Sequence, residues 1–96
     1  MHIGSFRHKG LRLLYEDNTP RGVQTAMADK LRKLLFAIET AEELDDLAIF
    51  PGWKLHPLKG DLAQFWSLTV NGNWRLIFQY EEATNTAHIL DLIDYH

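Results

Sequence analysis

The sequence predicts an α+β domain in which two N-terminal helices pack on one face of a twisted, mainly antiparallel sheet, in the order β-α-α-β-β-β. Two observations support this prediction. The first half of the chain repeats apolar residues at helical spacing, and the second half changes to strand-like patterns around a hairpin turn at Asn71-Gly72-Asn73. With 96 residues, the chain is expected to form one domain over 1–96.

The two helices are predicted from their apolar stripes. A short opening strand over 2–6 is followed by one helix over 8–16 and a longer one from about 20–23 to 38, separated by turn residues. The stripes consist of Leu11, Leu14 and Tyr15, and then of Met27, Leu31, Leu34, Leu35 and Ile38. The opposite face of the second helix is cationic and is typical of a solvated surface, with RNA or partner contact as the alternative. Thr40 and Glu43 have the spacing of a capping box, which predicts a short third helix.

The register of the central hairpin decides which side chains leave the core. A three-residue loop aligns two entirely apolar rows, Trp66, Leu68 and Val70 with Trp74, Leu76 and Phe78. A two-residue loop would instead place the first row beside Arg75 and Gln79. Because burial strongly specifies register, we predict the three-residue loop, with Ser67, Thr69 and Arg75 on the face away from the helices. The last strand, over 86–93, has aliphatic residues on both faces and is predicted to be central or covered on both sides.

Composition limits the classes of function. The chain contains no cysteine, which excludes disulfides and thiolate metal sites, and it contains no apolar run long enough for a signal peptide or a membrane span, so a cytoplasmic location without membrane contact is expected. The net charge of −3 argues against a broad nucleic-acid-binding surface. The cations nevertheless outnumber the acids in 1–39 and in 54–80, so a local basic surface on an acidic protein remains an alternative to a surface of mixed sign.

Acid/base side chains and cations occur in three strand-like segments. His56, Lys54 and Lys59 surround one segment, Arg75 lies in the hairpin, and Asp94-Tyr95-His96 follow the last strand. A surface histidine explains His56 equally well, and each cation is ordinary by itself. The set His56, Asp94 and His96 lacks a recognised metal-ligand spacing, and no glycine-rich phosphate loop or nucleophile elbow is present, so neither a metal nor a cofactor is predicted.

The order of the motifs resembles one family over essentially the whole chain. The quoted segments are Ser5-Phe6, Lys9-Gly10-Leu11, Leu55-His56-Pro57-Leu58-Lys59-Gly60-Asp61, Trp66-Ser67, Asn73-Trp74-Arg75 and Asp94-Tyr95-His96. Together they resemble the HigB-type toxins of the RelE-like toxin–antitoxin superfamily. The His-Pro-Leu-Lys-Gly block and the final Asp-Tyr-His are the specific parts of this resemblance.

The resemblance implies a RelE-like fold and a metal-independent endoribonuclease that cuts messenger RNA in the ribosomal decoding site. It implies catalytic roles for His56, Asp94, Tyr95 and His96, and substrate-binding roles for basic residues such as Lys59 and Arg75. The implied partner is a helix-turn-helix antitoxin of the HigA type, through which operator DNA would be bound.

Two other functions fit the sequence less well. One is an inactive relative kept as an antitoxin-binding or co-repressor module, which the acidic balance favours and the intact final motif opposes. The other is a ribosome-independent ribonuclease, which would need more RNA-binding surface than a net charge of −3 suggests.

Overall fold

A computed structural model describes residues 1–95, which form two α-helices and one five-stranded sheet. The helices are α1 (Lys9–Asp17) and α2 (Thr25–Thr40), and the strands are β1 (His2–Ile3), β2 (His56–Pro57), β3 (Phe65–Asn71), β4 (Trp74–Glu81) and β5 (Thr86–Asp94). The strand order is β1-β5-β4-β3-β2, with β1 parallel to β5 and the other pairs antiparallel. The predicted α+β architecture is confirmed. A two-residue edge strand at His56–Pro57 raises the number of strands beyond the predicted four.

The main core lies between the helices and one face of the sheet. The predicted stripe of α2 is buried along its length, and residues from β3, β4 and β5 meet it from the sheet. The fully buried members include Leu11, Leu31, Leu34, Ile38, Leu68, Leu76, Phe78 and Leu90. No helix within residues 1–95 has both the length and the apolar character needed to cross a membrane.

Local capping sets the helix bounds and shifts them from the predicted ones. The His8 ring Nδ1 accepts the backbone N–H of Leu11 at 3.1 Å, so His8 caps α1, and Asn18 ends the helix in the left-handed conformation with φ 52°. The second helix begins later than predicted because the chain first turns past Gly22, which packs directly against Gly10 of α1.

The third helical segment differs from the predicted one. It is a 3₁₀ turn, Leu44–Ile49, and its capping box joins Glu43 to Asp46. Thr40 does not take part, because it is still inside α2 and its hydroxyl donates to the carbonyl of Phe36 at 2.8 Å. The predicted cap was therefore wrong by three residues. Two further 3₁₀ turns, Pro51–Trp53 and Gly60–Leu62, flank β2.

The predicted register of the central hairpin is confirmed, but the three-residue loop is not: β3 runs to Asn71, which pairs with Trp74, and a register shift between Thr69 and Asn71 leaves a loop of two residues, Gly72 and Asn73. Leu68 pairs with Leu76 and Thr69 pairs with Arg75, while the predicted apolar rows contribute to the main core. We call the opposite side of the sheet, which carries Ser67, Thr69, Arg75 and Ile77, the distal face. This face has a second, smaller cluster built from Leu58, Phe65 and Ile77, with Leu62, Ile89 and Ile93 packed against it.

A bulge in β5 determines which side chains reach the distal face. Ile77 pairs with Asp91 whereas Gln79 pairs with His88, so β5 has one extra residue at this point. Ile89 takes a positive φ of 56°, and its backbone N–H is bound by the Ser5 hydroxyl at 2.8 Å. The extra residue reverses the order in which successive side chains of β5 point to the two faces of the sheet. Leu90 and Leu92 therefore point into the main core, and Asp91 points to the distal face. As predicted, β5 is an interior strand.

Candidate active site

His56 stands on the edge strand β2, where it pairs with Ser67 of β3 and is exposed. Its ring Nδ1 lies 2.7 Å from the carbonyl oxygen of Lys54. A carbonyl can only accept a hydrogen bond, so Nδ1 carries the proton and Nε2 of the neutral ring keeps its lone pair. Lys54 presents this carbonyl from the left-handed conformation, with φ 50° and ψ 54°. The local structure therefore favours the tautomer in which Nε2 is free to accept a proton.

Two lysines lie on either side of His56 along the chain. Lys54 precedes β2 and Lys59 follows it as the cap of the turn Gly60–Leu62, and both lysines are exposed. Gly60 has a φ of 65°, which glycine adopts at little cost, and this conformation turns the chain back over the distal face. The structure thus places His56 and both lysines at one edge of the sheet.

Arg75 points away from the helices, as the predicted register requires. It pairs with Thr69 on one side and with Ile93 on the other. Its Nη1 donates to the carbonyl of Gly72 at 2.6 Å and to that of Trp74 at 3.0 Å. The guanidinium is therefore held at the hairpin turn, and strand spacing puts its Cα about 12 Å from that of His56.

The end of β5 approaches the same turn. Asp94 pairs with Trp74, and the backbone N–H of Tyr95 donates to the carbonyl of Asn73 at 2.9 Å. The Tyr95 side chain is 40% exposed. His96, which the sequence also predicts as catalytic, lies outside the described residues. Asp94, Tyr95 and Arg75 thus share one end of the sheet.

The predicted residues form two groups. His56, Lys54 and Lys59 occupy the β2 edge, and Arg75, Asp94 and Tyr95 lie near the hairpin turn. Asp94 pairs with Trp74 and follows Leu92 at the strand period, so it lies on the helix side of the sheet, opposite to Arg75, and the predicted convergence of these residues on one face is wrong for Asp94. The register separates the Cα atoms of His56 and Asp94 by three strands and three residues, or about 17 Å. Within residues 1–95, no three histidine, aspartate or glutamate side chains are grouped closely enough to hold a metal ion.

Sequence reasoning did not identify Arg7 as part of this face. Its guanidinium carbon lies 5.7 Å from the centroid of the Phe65 ring, and its Nη1 lies 3.9 Å from a carboxylate oxygen of Asp91. Both neighbours belong to strands far away in the sequence. No local pattern around Arg7 signals these contacts.

Comparison with solved structures defines the class of fold. The structure resembles the YoeB/ParE toxin from Agrobacterium tumefaciens with a TM-score of 0.61 and 18% identity, and the match covers 100% of both chains. At this identity the likeness shows the fold alone.

The sequence comparisons then identify the family. The chain is 46% identical over 94 residues to Endoribonuclease HigB of Proteus vulgaris, covering 98% of this chain and 99% of that protein. It is 32% identical over 87 residues to Toxin HigB-1 of Vibrio cholerae serotype O1, covering 90% and 92% of the two chains. The model of the HigB-like toxins, RelE-like toxins of type II toxin–antitoxin systems, matches residues 4–96. The chain therefore belongs to the HigB-like toxin family, and its partner is an antitoxin.

Proposed function

We propose that this chain is an endoribonuclease that cleaves messenger RNA on the ribosome, as the toxin of a type II toxin–antitoxin system. The observation that carries this proposal is the hydrogen bond between His56 Nδ1 and the Lys54 carbonyl, because it leaves Nε2 as a base on an exposed edge beside two lysines. The name of the 46% identical relative, Endoribonuclease HigB, supports the same reaction.

The proposed reaction is an internal displacement at phosphorus. His56 Nε2 removes the proton of a ribose 2′-hydroxyl, whose oxygen forms a bond to the adjacent phosphorus. The bond from phosphorus to the 5′-oxygen breaks, which leaves a 2′,3′-cyclic phosphate and a 5′-hydroxyl. His96 donates the proton that the leaving 5′-oxygen takes up. A positioned acid or base contributes about 10²–10⁴-fold each, and imidazole exchanges protons near neutral pH.

The remaining residues stabilise charge and position the RNA. Lys54, Lys59 and Arg75 face the negative charge that develops on the phosphate oxygens, often the largest single contribution to catalysis. Asp94 is too far from His56 to contact it, so the imidazole that it would orient is that of His96, and Tyr95 stacks on a base or hydrogen-bonds the phosphate. The two groups of residues contact the RNA from different parts of the sheet and do not enclose it. The ribosome therefore supplies much of the alignment of the message.

The partner is proposed in finer detail as a HigA-type antitoxin with a helix-turn-helix domain. Operator DNA is then bound through the complex and not by the toxin alone. The protein acts in the cytoplasm, where messenger RNA and ribosomes are present, and needs no membrane.

The test uses a translated message and three variants. Wild-type protein should produce cuts that map by primer extension, with 2′,3′-cyclic phosphate and 5′-hydroxyl ends. His56→Gln and a chain ending at Tyr95 should each lower the cleavage rate by about 10²–10⁴-fold. His2→Gln removes an exposed histidine from β1 and should cleave normally. Undiminished cleavage by His56→Gln would refute the assignment of the base.

The second candidate function is a catalytically inactive protein that binds the antitoxin as a co-repressor. The acidic net charge of −3 favours it. A wild-type chain that binds its antitoxin tightly but gives no cuts on any translated message would support this candidate and contradict the proposed ribonuclease.

A further inference from the structure

Arg7 extends across the distal face from the opposite edge of the sheet. Phe6 forms a bridge with Leu90, and the Arg7 backbone N–H donates to the Leu90 carbonyl at 2.8 Å, so the residue lies beside β5. Its side chain nevertheless reaches Phe65 of β3, at 5.7 Å from guanidinium carbon to ring centroid. The guanidinium therefore lies over the middle strand β4, and Asp91 of β5 stands 3.9 Å from its Nη1.

The hydrogen-bond donors of Arg7 are unused. At 3.9 Å, the approach to Asp91 is too long for a hydrogen bond, and within residues 1–95 the Arg7 side chain makes none. Three other arginines donate to protein groups, Arg75 to the hairpin turn, Arg12 to Glu16 and Arg32 to Asn18. Arg21 has no such partner within residues 1–95 either, so what distinguishes Arg7 is its position over the Phe65 ring. The Arg7 side chain is 56% exposed. Its guanidinium is thus held over an aromatic ring while its donors stay available to a ligand.

The position relates Arg7 directly to His56. His56, Ser67, Ile77 and Asp91 pair in sequence across β2, β3, β4 and β5, so they form one row on the distal face. Strand spacing makes this row about 14 Å long from His56 to Asp91. Arg7 contacts the Asp91 end of the row and reaches back toward β3. The middle of this row is covered, because Ser67 and Ile77 are fully buried beneath the cluster that contains Phe65. A polynucleotide that runs from the His56 edge toward β5 would therefore cross over this cluster and meet the outward side of the Arg7 guanidinium.

We propose that Arg7 binds a backbone phosphate of the RNA that flanks the phosphate cleaved beside His56. This inference rests on the proposed ribonuclease function and adds a second phosphate-binding position to it. The planar guanidinium fork matches two oxygens of one phosphate, and the Phe65 ring below it limits the ways in which it can turn. A phosphate contact positions the strand without reading its bases, so the Arg7 contact is independent of sequence.

A purely structural role for Arg7 is the competing explanation. The Phe65 ring is only 5% exposed, and the aliphatic part of Arg7 helps to cover it. Two substitutions separate the explanations. Arg7→Met keeps a long flexible chain over the ring and removes all donors, whereas Arg7→Lys keeps the positive charge. Arg12→Met is the matched control, because Arg12 lies on α1 and, within residues 1–95, its side chain hydrogen-bonds Glu16 alone.

The experiment measures KM and kcat separately for cleavage of a ribosome-bound message. A charge-assisted phosphate contact is expected to contribute the same binding energy in the ground state and in the transition state. Its loss should therefore raise KM by about 10- to 100-fold and leave kcat within about 3-fold of the wild-type value. Arg7→Met should show this increase, Arg7→Lys should recover most of the wild-type KM, and Arg12→Met should match wild type. Melting temperatures of all variants should agree within a few degrees, because the packing over Phe65 is retained.

The outcomes distinguish the inference from the function on which it rests. A wild-type chain that does not cleave the message overturns both. If the wild type cleaves the message and Arg7→Met has an unchanged KM, the phosphate contact alone is overturned. An Arg7→Lys variant as impaired as Arg7→Met would also overturn it, because charge would then not be the property that matters.

Discussion

The hydrogen bond that fixes the His56 ring can be tested through the backbone of its neighbour. Lys54 holds the left-handed conformation that brings its carbonyl to 2.7 Å from His56 Nδ1. Glycine enters this conformation freely, whereas a β-branched residue there is a steric outlier. Lys54→Gly and Lys54→Val remove the same ammonium group and differ in whether the carbonyl stays in place. The pair therefore isolates the tautomer effect from the loss of a cation.

The expected magnitude follows from the bond that the valine variant loses. Lys54 already carries the cost of about 1–2 kcal/mol that any residue with a Cβ has in the left-handed conformation. The β-branched valine adds a steric clash to this cost, so the exposed connection before β2 should relax to another conformation in Lys54→Val. The net value of one hydrogen bond is about 0.5–1.5 kcal/mol. If that energy holds the ring and its tautomer for catalysis, kcat should fall about 2- to 12-fold in Lys54→Val relative to Lys54→Gly.

Single-turnover cleavage at saturating protein is the suitable assay, because both variants are equally deficient in the Lys54 charge. Nitrogen chemical shifts of the His56 ring give a readout independent of activity. Lys54→Gly should retain the proton on Nδ1, and Lys54→Val should show a mixture of tautomers. Equal rates in the two variants, together with different tautomer populations, would refute the idea that the Lys54 carbonyl prepares His56 as the base.

Three other outcomes are expected. Gly10→Ala should lower the melting temperature by several degrees, because its Cβ would lie 2.1 Å from the Gly22 carbonyl oxygen and overpacking costs about 1–3 kcal/mol. Gly52→Ala is the control and should leave the melting temperature unchanged, because its Cβ would have no atom within 4 Å. Equal melting temperatures of the two variants would contradict the packing of α1. Ser67→Ala should raise stability by about 1 kcal/mol in a denaturant titration, since the buried Ser67 hydroxyl has no hydrogen-bond partner among residues 1–95; a loss of stability would indicate a partner. Cleavage should persist in excess chelator when ribosomal magnesium is controlled, and rescue by zinc or manganese alone would contradict an acid/base mechanism.

The sequence predicted those parts of the fold in which burial follows a regular period. The α2 stripe from Met27 to Ile38 and the apolar rows around Leu68 and Leu76 fixed the helix layer and the hairpin register. Arg75 was consequently placed on the correct face. Periodicity is local, so it specifies which side of an element is buried without showing what that side touches.

The sequence could not predict the parts of the distal face that depend on distant pairing. The bulge at Ile89 needs the Ser5 hydroxyl, which is remote in sequence, and it reverses the alternation of β5 just before Asp91. A strict alternation along the last strand would have placed Asp91 and Leu92 on the wrong faces. Arg7 was missed for the same reason, since its position over Phe65 follows from the pairing of the N-terminal segment with β5.

The arrangement of charge in the fold removes the main objection that composition raises to an RNA-binding face. Glu42, Glu43, Asp45 and Glu82 line one groove near Tyr80, at the end of β4 opposite the hairpin turn. Arg75 and Tyr80 are five residues apart on strand β4 (Trp74–Glu81), so about 17 Å of strand separates Arg75 from the Tyr80 side of that groove. Charges on the surface are largely screened beyond about 8–10 Å at physiological ionic strength. These four acids therefore exert little repulsion on a phosphate near Arg75, and the charges that matter there are the local ones, the nearby cations and Asp94 at the end of β5.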